Sequence, residues 1–461
     1  MPVSDVLSAV KDHRARASDY DLFRDYEEGR HKHPYASPKF REKFGWIVRQ
    51  ARLNACYTVR SNFTDLVQIQ AWSGAGADKA NELAETTDLD MVIDLAVNES
   101  FRCGDGYILA WPGKDGTPRP WYHRADQAGY RLDPADPSTL EVAWKIWVAP
   151  DGHGRVNLYY PDRVERWATT GTIRSVEDQV VDWSVVERSV SWAPYDGDGE
   201  PDVQDHKFGR VPWVHIPFDP QTQGGHGRSI LRDVVPLQDG LNHAVHATLV
   251  NTEKYADAVR ALMNHQPVTS IDPETGRQRT EKLDVDETRN SIIGFRGEGP
   301  LVQLTPPDSS NILSVKRDWM TDIAITAGIP ISDVAPDLGN IPSGVSLRVL
   351  ATRRTNTIRA YTKANTGRLS TLMELLGVPG AVPEWIDPAP TDDTERLANA
   401  QARLDMGYPL SEVLPDLGED ADDIIRILES AGAEQATLAA AAASAIRDAR
   451  EAPVVMGDGE P

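Results

Sequence analysis

With 461 residues the chain exceeds one ordinary core, and at about 150 residues per domain it reads as roughly three units. Hydrophobic residues at 40%, with 12 Trp, 13 Tyr and 8 Phe, exclude a chain that is disordered over most of its length. The 48 Lys and Arg against 70 Asp and Glu give a net charge of −22, so most of the surface repels phosphate and simple wrapping around nucleic acid is excluded.

Two cysteines, Cys56 and Cys103, cannot form a disulfide framework and read as small buried hydrophobes. The first 21 residues are broken by Asp5, Lys11, Asp12, Arg14 and Arg16 and lack the apolar core of a signal peptide, so no export is expected. No run approaches the ~18 apolar residues of a membrane span. A soluble protein of a reducing compartment, with no membrane partner, is expected.

Residues 5–100 read as helical. Leu7, Val10, Ala17 and Tyr20 carry the first spacing, Phe44, Ile47, Val48 and Ala51 the next, and Leu83, Leu89, Val92, Ile93, Ala96 and Val97 predict one helix over 78–101. From Gly104 the texture becomes aromatic and β-branched. Tyr107–Trp111, Val142–Val148, Val156–Tyr160, Val164–Trp167 and Val211–Pro217 are short runs separated by Gly, Pro and Asp turns, which predicts antiparallel strands over 104–218.

After the joint Gln223-Gly224-Gly225-His226-Gly227, apolar positions from Leu237 to Met263 predict a strut of roughly 40 Å, with Pro236 tolerated in its first turn. Residues 264–310 read as a small β module, with a hairpin turn at Asp272–Gly276 and strands at Ile292–Phe295 and Leu301–Leu304. Asn311–Gly328 predicts a second helix stopped by Gly328-Ile329-Pro330, and 331–344 a loop.

Val345–Leu376 reads as a further long helix of unusual charge: Arg348, Arg353, Arg354, Arg359, Lys363 and Arg368 occur between Ser346 and Met373 without one acid. At about 100° per residue these cations do not form one stripe, which fits an element inserted between other chains. Residues 384–434 invert the sign, with 14 acids against Arg396, Arg403 and Arg426. Short helices and a fraying tail are expected there.

No phosphate loop, H-E-x-x-H, G-x-S-x-G or C-x-x-C is present. His31 and His33 lack a spaced third ligand, Pro201 stands where a calcium loop beginning at Asp196 needs glycine, and Asp392-Asp393 and Asp422-Asp423 sit in an ordinary acidic run. Cys103-Gly104-Asp105-Gly106 reads as a helix-to-strand turn. Neither a catalytic residue, a metal nor a cofactor is expected.

The order of parts resembles phage portal proteins, specifically the group of long-tailed phages of Gram-positive and actinobacterial hosts. The resemblance rests on Tyr26-Glu27-Glu28-Gly29-Arg30-His31 with Pro34, Leu237–Asn242 with Glu253, Ala327-Gly328-Ile329-Pro330, Pro342–Arg348 and Glu384-Trp385-Ile386-Asp387-Pro388. It implies an α+β portal-like fold. Residues 1–228 form a wing (helical 1–103, β-rich 104–218), and 229–263 and 311–328 are stem helices around a clip at 264–310. Residues 329–344 are the channel loop, 345–376 the basic wing helix and 377–461 the acidic helical crown and tail.

The same resemblance implies a ring of twelve copies at one capsid vertex of the virion, assembled in the host cytoplasm. Double-stranded DNA passes through it, and terminase large subunit, head–tail adaptor, major capsid and scaffolding proteins are partners. The channel loop then presents Ser332, Asp333, Asp337, Asn340 and Ser343 to DNA, and Arg348, Arg353, Arg354, Arg359 and Lys363 join subunits. Arg277, Gln278, Arg279, Glu281 and Lys282 of the clip dock terminase or adaptor.

A tall helical hairpin cannot bury both faces inside one subunit, whereas a ring of hairpins can. An acidic wall also suits a conduit through which DNA slides. Two other classes remain open to the sequence: another ring-forming virion protein, which would lack a β module between long helices, and an acidic hydrolase with its site scattered over 104–218.

Overall fold

A computed structural model describes residues 2–30, 42, 52–173, 191–197, 199, 201–255, 260–263, 269–271, 278–280, 292–295, 302–303, 309–334, 344–389, 393–409, 413 and 426. The chain divides into two compact units, one of residues 1–342 and 349–388, the other of 343–348 and 389–461.

In the first unit, α1 (Pro2–Glu27) opens with a proline that a first helical turn tolerates. Its Val6, Ala9 and Val10 recur at helical spacing and are buried against Trp144, Val156 and Trp192 of the large sheet. The helix stops at Gly29, whose φ of +71° is left-handed.

After α2 (Ala55–Thr64) comes strand β1 (Ile69–Gly74), followed by α3 (Ala77–Thr86) and α4 (Leu89–Cys103). The single helix expected over 78–101 is thus two. Thr87 is extended at φ −133° and ψ 170°, and its hydroxyl donates to the Leu83 carbonyl at 2.6 Å. The Thr-Thr-Asp sequence offers the backbone this local alternative to a continuous helix.

Two antiparallel sheets follow. Strands β2 (Asp105–Pro112), β3 (Pro118–His123) and β10 (Trp213–Pro217) form one, in the order β10-β2-β3. The other has the order β4-β5-β6-β7-β8, built from β4 (Ala128–Leu132), β5 (Leu140–Val148), β6 (His153–Tyr159), β7 (Arg163–Thr172) and β8 (Trp192–Pro194), with β9 (Val203–Asp205) also paired to β7. The β-rich reading of 104–218 therefore holds for the described residues.

Helix α5 (Val235–Tyr255) packs on α6 (Ser309–Ala327) through Leu241, Ala244, Ile323 and Ala324, all buried. A side chain at Gly240 would meet the Trp319 ring at 2.8 Å, so glycine sets how closely the two helices approach. The expected strut to Met263 is shorter, because β11 (Arg260–Met263) is a strand between β14 (Ile292–Phe295) and β15 (Val302–Gln303). A run as short as Ala261-Leu262-Met263 fits both periodicities, and pairing partners decide it. Strands β12 (Thr269–Ile271) and β13 (Gln278–Thr280) pair antiparallel, as the hairpin expectation requires.

Within the expected loop, α7 (Ile331–Val334) is a helical turn that follows Pro330. Helix α8 (Gly344–Leu375) forms as read, 32 residues long. Its chain then continues into β16 (Ala381–Trp385), which pairs antiparallel with β1. Neither strand follows from local pattern: β1 lies in the stretch 5–100 that reads as helical, and β16 in the region from 377 for which helices are expected. The first unit accordingly continues to Pro388. In the second unit, α9 (Asp393–Asp405) buries Ala400.

Among the described residues no helix is long and apolar enough to cross a membrane.

Candidate functional site

Three polar constellations organise the first unit. The first lies where α1, α2, α4 and α5 meet. Glu27 accepts from Arg60 Nε at 2.8 Å and is ion-paired with Arg102 at 2.6 Å, while Glu99 accepts from Arg24 at 2.6 Å and Arg102 at 3.2 Å. Both carboxylates are almost fully buried, so this network is stable only while every charge has its counterpart.

Tyr26 donates to Asp239 of α5 at 2.8 Å. Gln238 accepts from Ala55 N and donates to Leu53 O, both at 2.8 Å, and Asn242 accepts from Leu53 N at 3.0 Å. The amides of α5 thus satisfy backbone groups that find no partner within a helix or strand, those of Leu53 before α2 and the N–H of Ala55 in its first turn. Of the residues singled out in sequence, Tyr26 and three within 237–242, Gln238, Asp239 and Asn242, clasp α5 to α1 and to the start of α2.

A second constellation surrounds Asp105, at the turn from α4 into β2. Gly104 is left-handed (φ +97°), and a Cβ there would lie 2.5 Å from the Gly227 carbonyl. Asp105 accepts from Tyr20 (2.5 Å), His215 Nε2 (2.6 Å) and Gly227 N (2.9 Å). Burial pushes the Asp105 carboxyl upward, but its contacts with His215 and His226 outweigh this and hold it well below the usual carboxylate range. Burial lowers His215 to about 4, against the pull of Asp105. A neutral His215 donating to an ionised Asp105, with Arg16 at 3.9 Å as the counter-cation, accounts for both directions.

Asp105, His215 and His226 bring ligand-type atoms within 4.8 Å of one another. Yet Arg16 donates to His226 Nδ1 at 2.7 Å, and both Asp105 oxygens already accept hydrogen bonds. A metal ion would have to displace a guanidinium and three donors. The cluster instead pins the joint at 223–227 to the start of β2. Cys103, beside it, is buried with its thiol pushed well upward by burial, and burial raises Cys56 to about 12, so neither is a ready nucleophile.

The third constellation lies at the end of α6. Gly328 is left-handed (φ +76°), and Gly328 N and Ile329 N both donate to the Ala324 carbonyl. Arg353 of α8 donates to the Ile325 carbonyl at 2.9 Å, placing a cation at the negative end of that helix. Arg354 donates to Asp333 of α7 at 2.7 Å and to Asn62 of α2 at 2.5 Å. Arg359 forks onto Asp387 at 2.8 and 2.9 Å, in the open.

Three cations expected to join subunits therefore meet acceptors in their own chain. Lys363 is exposed, and Arg348 lies in the first turns of α8. Of the loop residues, Ser332 donates to Asp333 at 3.1 Å, while Asp337, Asn340 and Ser343 lie outside the described residues. Gln278 and Arg279 are in β13; Arg277, Glu281 and Lys282 lie outside, as do His31, His33, Asp198, Glu200, Asp392, Asp422 and Asp423. The contacts of Asn62 and Asp387 and the gathering of partners around Asp105 do not follow from the sequence, although Asp105 and Asp387 stand in stretches singled out there, because the partners are remote along the chain.

A family profile described as "Phage portal protein, SPP1 Gp6-like" matches residues 12–402. No curated protein matches the chain. Among solved structures, a chain in the "Neck of empty GTA particle computed with C6 symmetry" is similar at 17% identity and TM-score 0.45, over 84% of this chain and 95% of that one. One in the "Virion of native gene transfer agent (GTA) particle" is similar at 16% identity and TM-score 0.41, over 79% and 89%. One in the "Neck of native GTA particle computed with C12 symmetry" is similar at 14% and 0.40, over 82% and 94%.

Proposed function

The chain belongs to the SPP1 Gp6-like phage portal protein family, and from that premise we propose how its parts divide the work of a portal. As a portal protein it is a structural component of the virion that forms a symmetric ring at a capsid vertex for DNA packaging. The finer reading is ours: the ring has twelve copies, residues 1–228 are the wing, α5 and α6 the stem, and strands β11–β15 the clip. Residues 377–461 supply the crown.

The observation that carries this reading is the pairing of α5 with α6 around an inserted β module. Leu313, Val315 and Ile325 of α6 remain exposed beside that pairing, as expected of helices whose packing is completed by neighbouring copies. The loop at 329–344, whose own sequence carries no Lys or Arg, faces DNA with Ser332, Asp337, Asn340 and Ser343, along which phosphates slide, while Asp333 at its root is held by Arg354. Clip residues Arg277, Gln278, Arg279, Glu281 and Lys282 dock terminase large subunit and then a head–tail adaptor, and the wing meets major capsid and scaffolding proteins.

Helix α8 supports the ring in two ways. Arg353 and Arg354 hold the stem end and loop root in place and Arg359 is held by Asp387 of its own chain, while exposed Lys363 faces the neighbouring copy. Native mass spectrometry with negative-stain images of the purified full chain tests the reading: a closed ring with an axial hole is expected. A compact monomer stable at high concentration would overturn it. Lys363→Glu should lower the ring fraction, and rings of unchanged mass and stability would remove Lys363 from the subunit boundary.

A further inference from the structure

A cavity of about 690 Å³ opens among β4, the turn before β5, β10 and α8, within the first unit. Its walls are apolar at Leu132, Leu140, Val211 and Val214 and aromatic at Tyr130 and Trp213. Gly367, Arg368 and Thr371 of α8 close one side. The volume lies within the roughly 300–1,000 Å³ of small-molecule sites. None of the described residues lining it is an aspartate or glutamate, although the chain carries a net charge of −22.

The cavity's fixed charges are cationic. Arg210 is half exposed and already paired with Glu374 at 2.9 Å. Arg368 differs: its Nη1 donates to the His215 carbonyl at 2.9 Å, and among the described residues it has no ion-pair partner. Burial lowers its pKa, the mark of a cation whose desolvation is not offset. The acid in electrical reach, Asp105, is engaged by Tyr20, His215 and Gly227. Among the described residues the indole N–H of buried Trp213 has no hydrogen-bond partner.

A guanidinium offers five donors in a planar fork that matches a carboxylate. One positive charge balances one carboxylate, whereas a phosphate dianion would bring a second charge against apolar walls that cannot solvate it. We propose that this cavity binds a carboxylate carried on an apolar or aromatic body, anchored by Arg368. The carboxylate comes from an acidic side chain of a peptide or from a free organic acid, and the two sources are separable. The site is independent of the portal reading.

Calorimetry on the full chain as it assembles uses two pairs of probes: indole-3-propionate with its amide, and acetyl-Leu-Phe-Glu-Leu-amide with its Gln counterpart. At least one acid should bind saturably and at least ~10-fold more tightly than its neutral partner, and Arg368→Gln should weaken it roughly 10- to 100-fold. Tighter binding of the free acid names that source; tighter binding of the peptide names the other. A second variant, Thr371→Trp, fills the cavity while leaving Arg368 in place and should abolish binding even if Arg368→Gln does not fold. Absence of binding at millimolar acid, equal binding of acid and amide, or wild-type affinity in a folded variant of either kind would overturn the proposal.

Discussion

Replacing Glu27 by alanine strips a shared carboxylate from Arg60 and Arg102 at a site where all three side chains are largely enclosed. Breaking a buried network from one side costs about 3–5 kcal/mol, because the remaining charges stay desolvated. Glu27→Ala should therefore lower the urea midpoint by a corresponding amount with an unchanged slope; a midpoint within error of wild type would mean that water repairs the gap. Glycines at two of the left-handed turns should rank differently. Gly104→Ala meets the Gly227 backbone at 2.5 Å, whereas Gly328→Ala meets the flexible Arg353 side chain at 2.7 Å. Gly328→Ala should cost about 1–3 kcal/mol of backbone strain and Gly104→Ala more, an order that thermal melting can check.

At the scale of elements, the basic helix acts as a clamp. Arg354 ties α7 and α2 to α8, and Arg353 caps α6. Arg354→Ala should speed amide hydrogen exchange in 331–334 while leaving the sheet at 128–172 unchanged; uniform protection would show that the turn holds itself. Packing between α5 and α6 has its own control. Gly240→Leu drives a side chain into Trp319 and should splay the two helices, lowering the fraction of ring seen by native mass spectrometry.

For the whole molecule, acidity and buried histidines set the response to solution conditions. Burial lowers His13 to about 4 and His123 to about 3 from the usual 6.5. Both are neutral when folded, so between about pH 6.5 and 4 the unfolded chain takes up protons that the folded chain refuses. Stability is thus greatest above that window and is lost as pH falls through it, on the order of 3 kcal/mol per histidine by about pH 4. Melting at a series of pH values should show this slope, flattened in a His123→Gln variant. A net charge of −22 on every copy also predicts that ring formation improves as salt rises from about 10 to 150 mM, because screening weakens repulsion between copies.

Periodicity and charge alone determined the long basic helix, two helices with strands between them and the strand-rich middle, since each depends on neighbours within a few residues, while residue type pointed to the burial of both cysteines. The clasp of Tyr26, Gln238, Asp239 and Asn242 was visible as a set of residues but not as a contact. What only the tertiary structure decided depends on remote partners. Strand β1 exists because β16 lies beside it, and β11 is a strand because β14 and β15 flank it. Arg353, Arg354 and Arg359 find carbonyls and carboxylates of their own chain, where composition had pointed to a neighbour's. Asp105 gathers Tyr20, His215 and Gly227 from three separate stretches. Hydrogen bonds and ion pairs form with whatever the fold places within about 3 Å, and a linear pattern does not encode that distance.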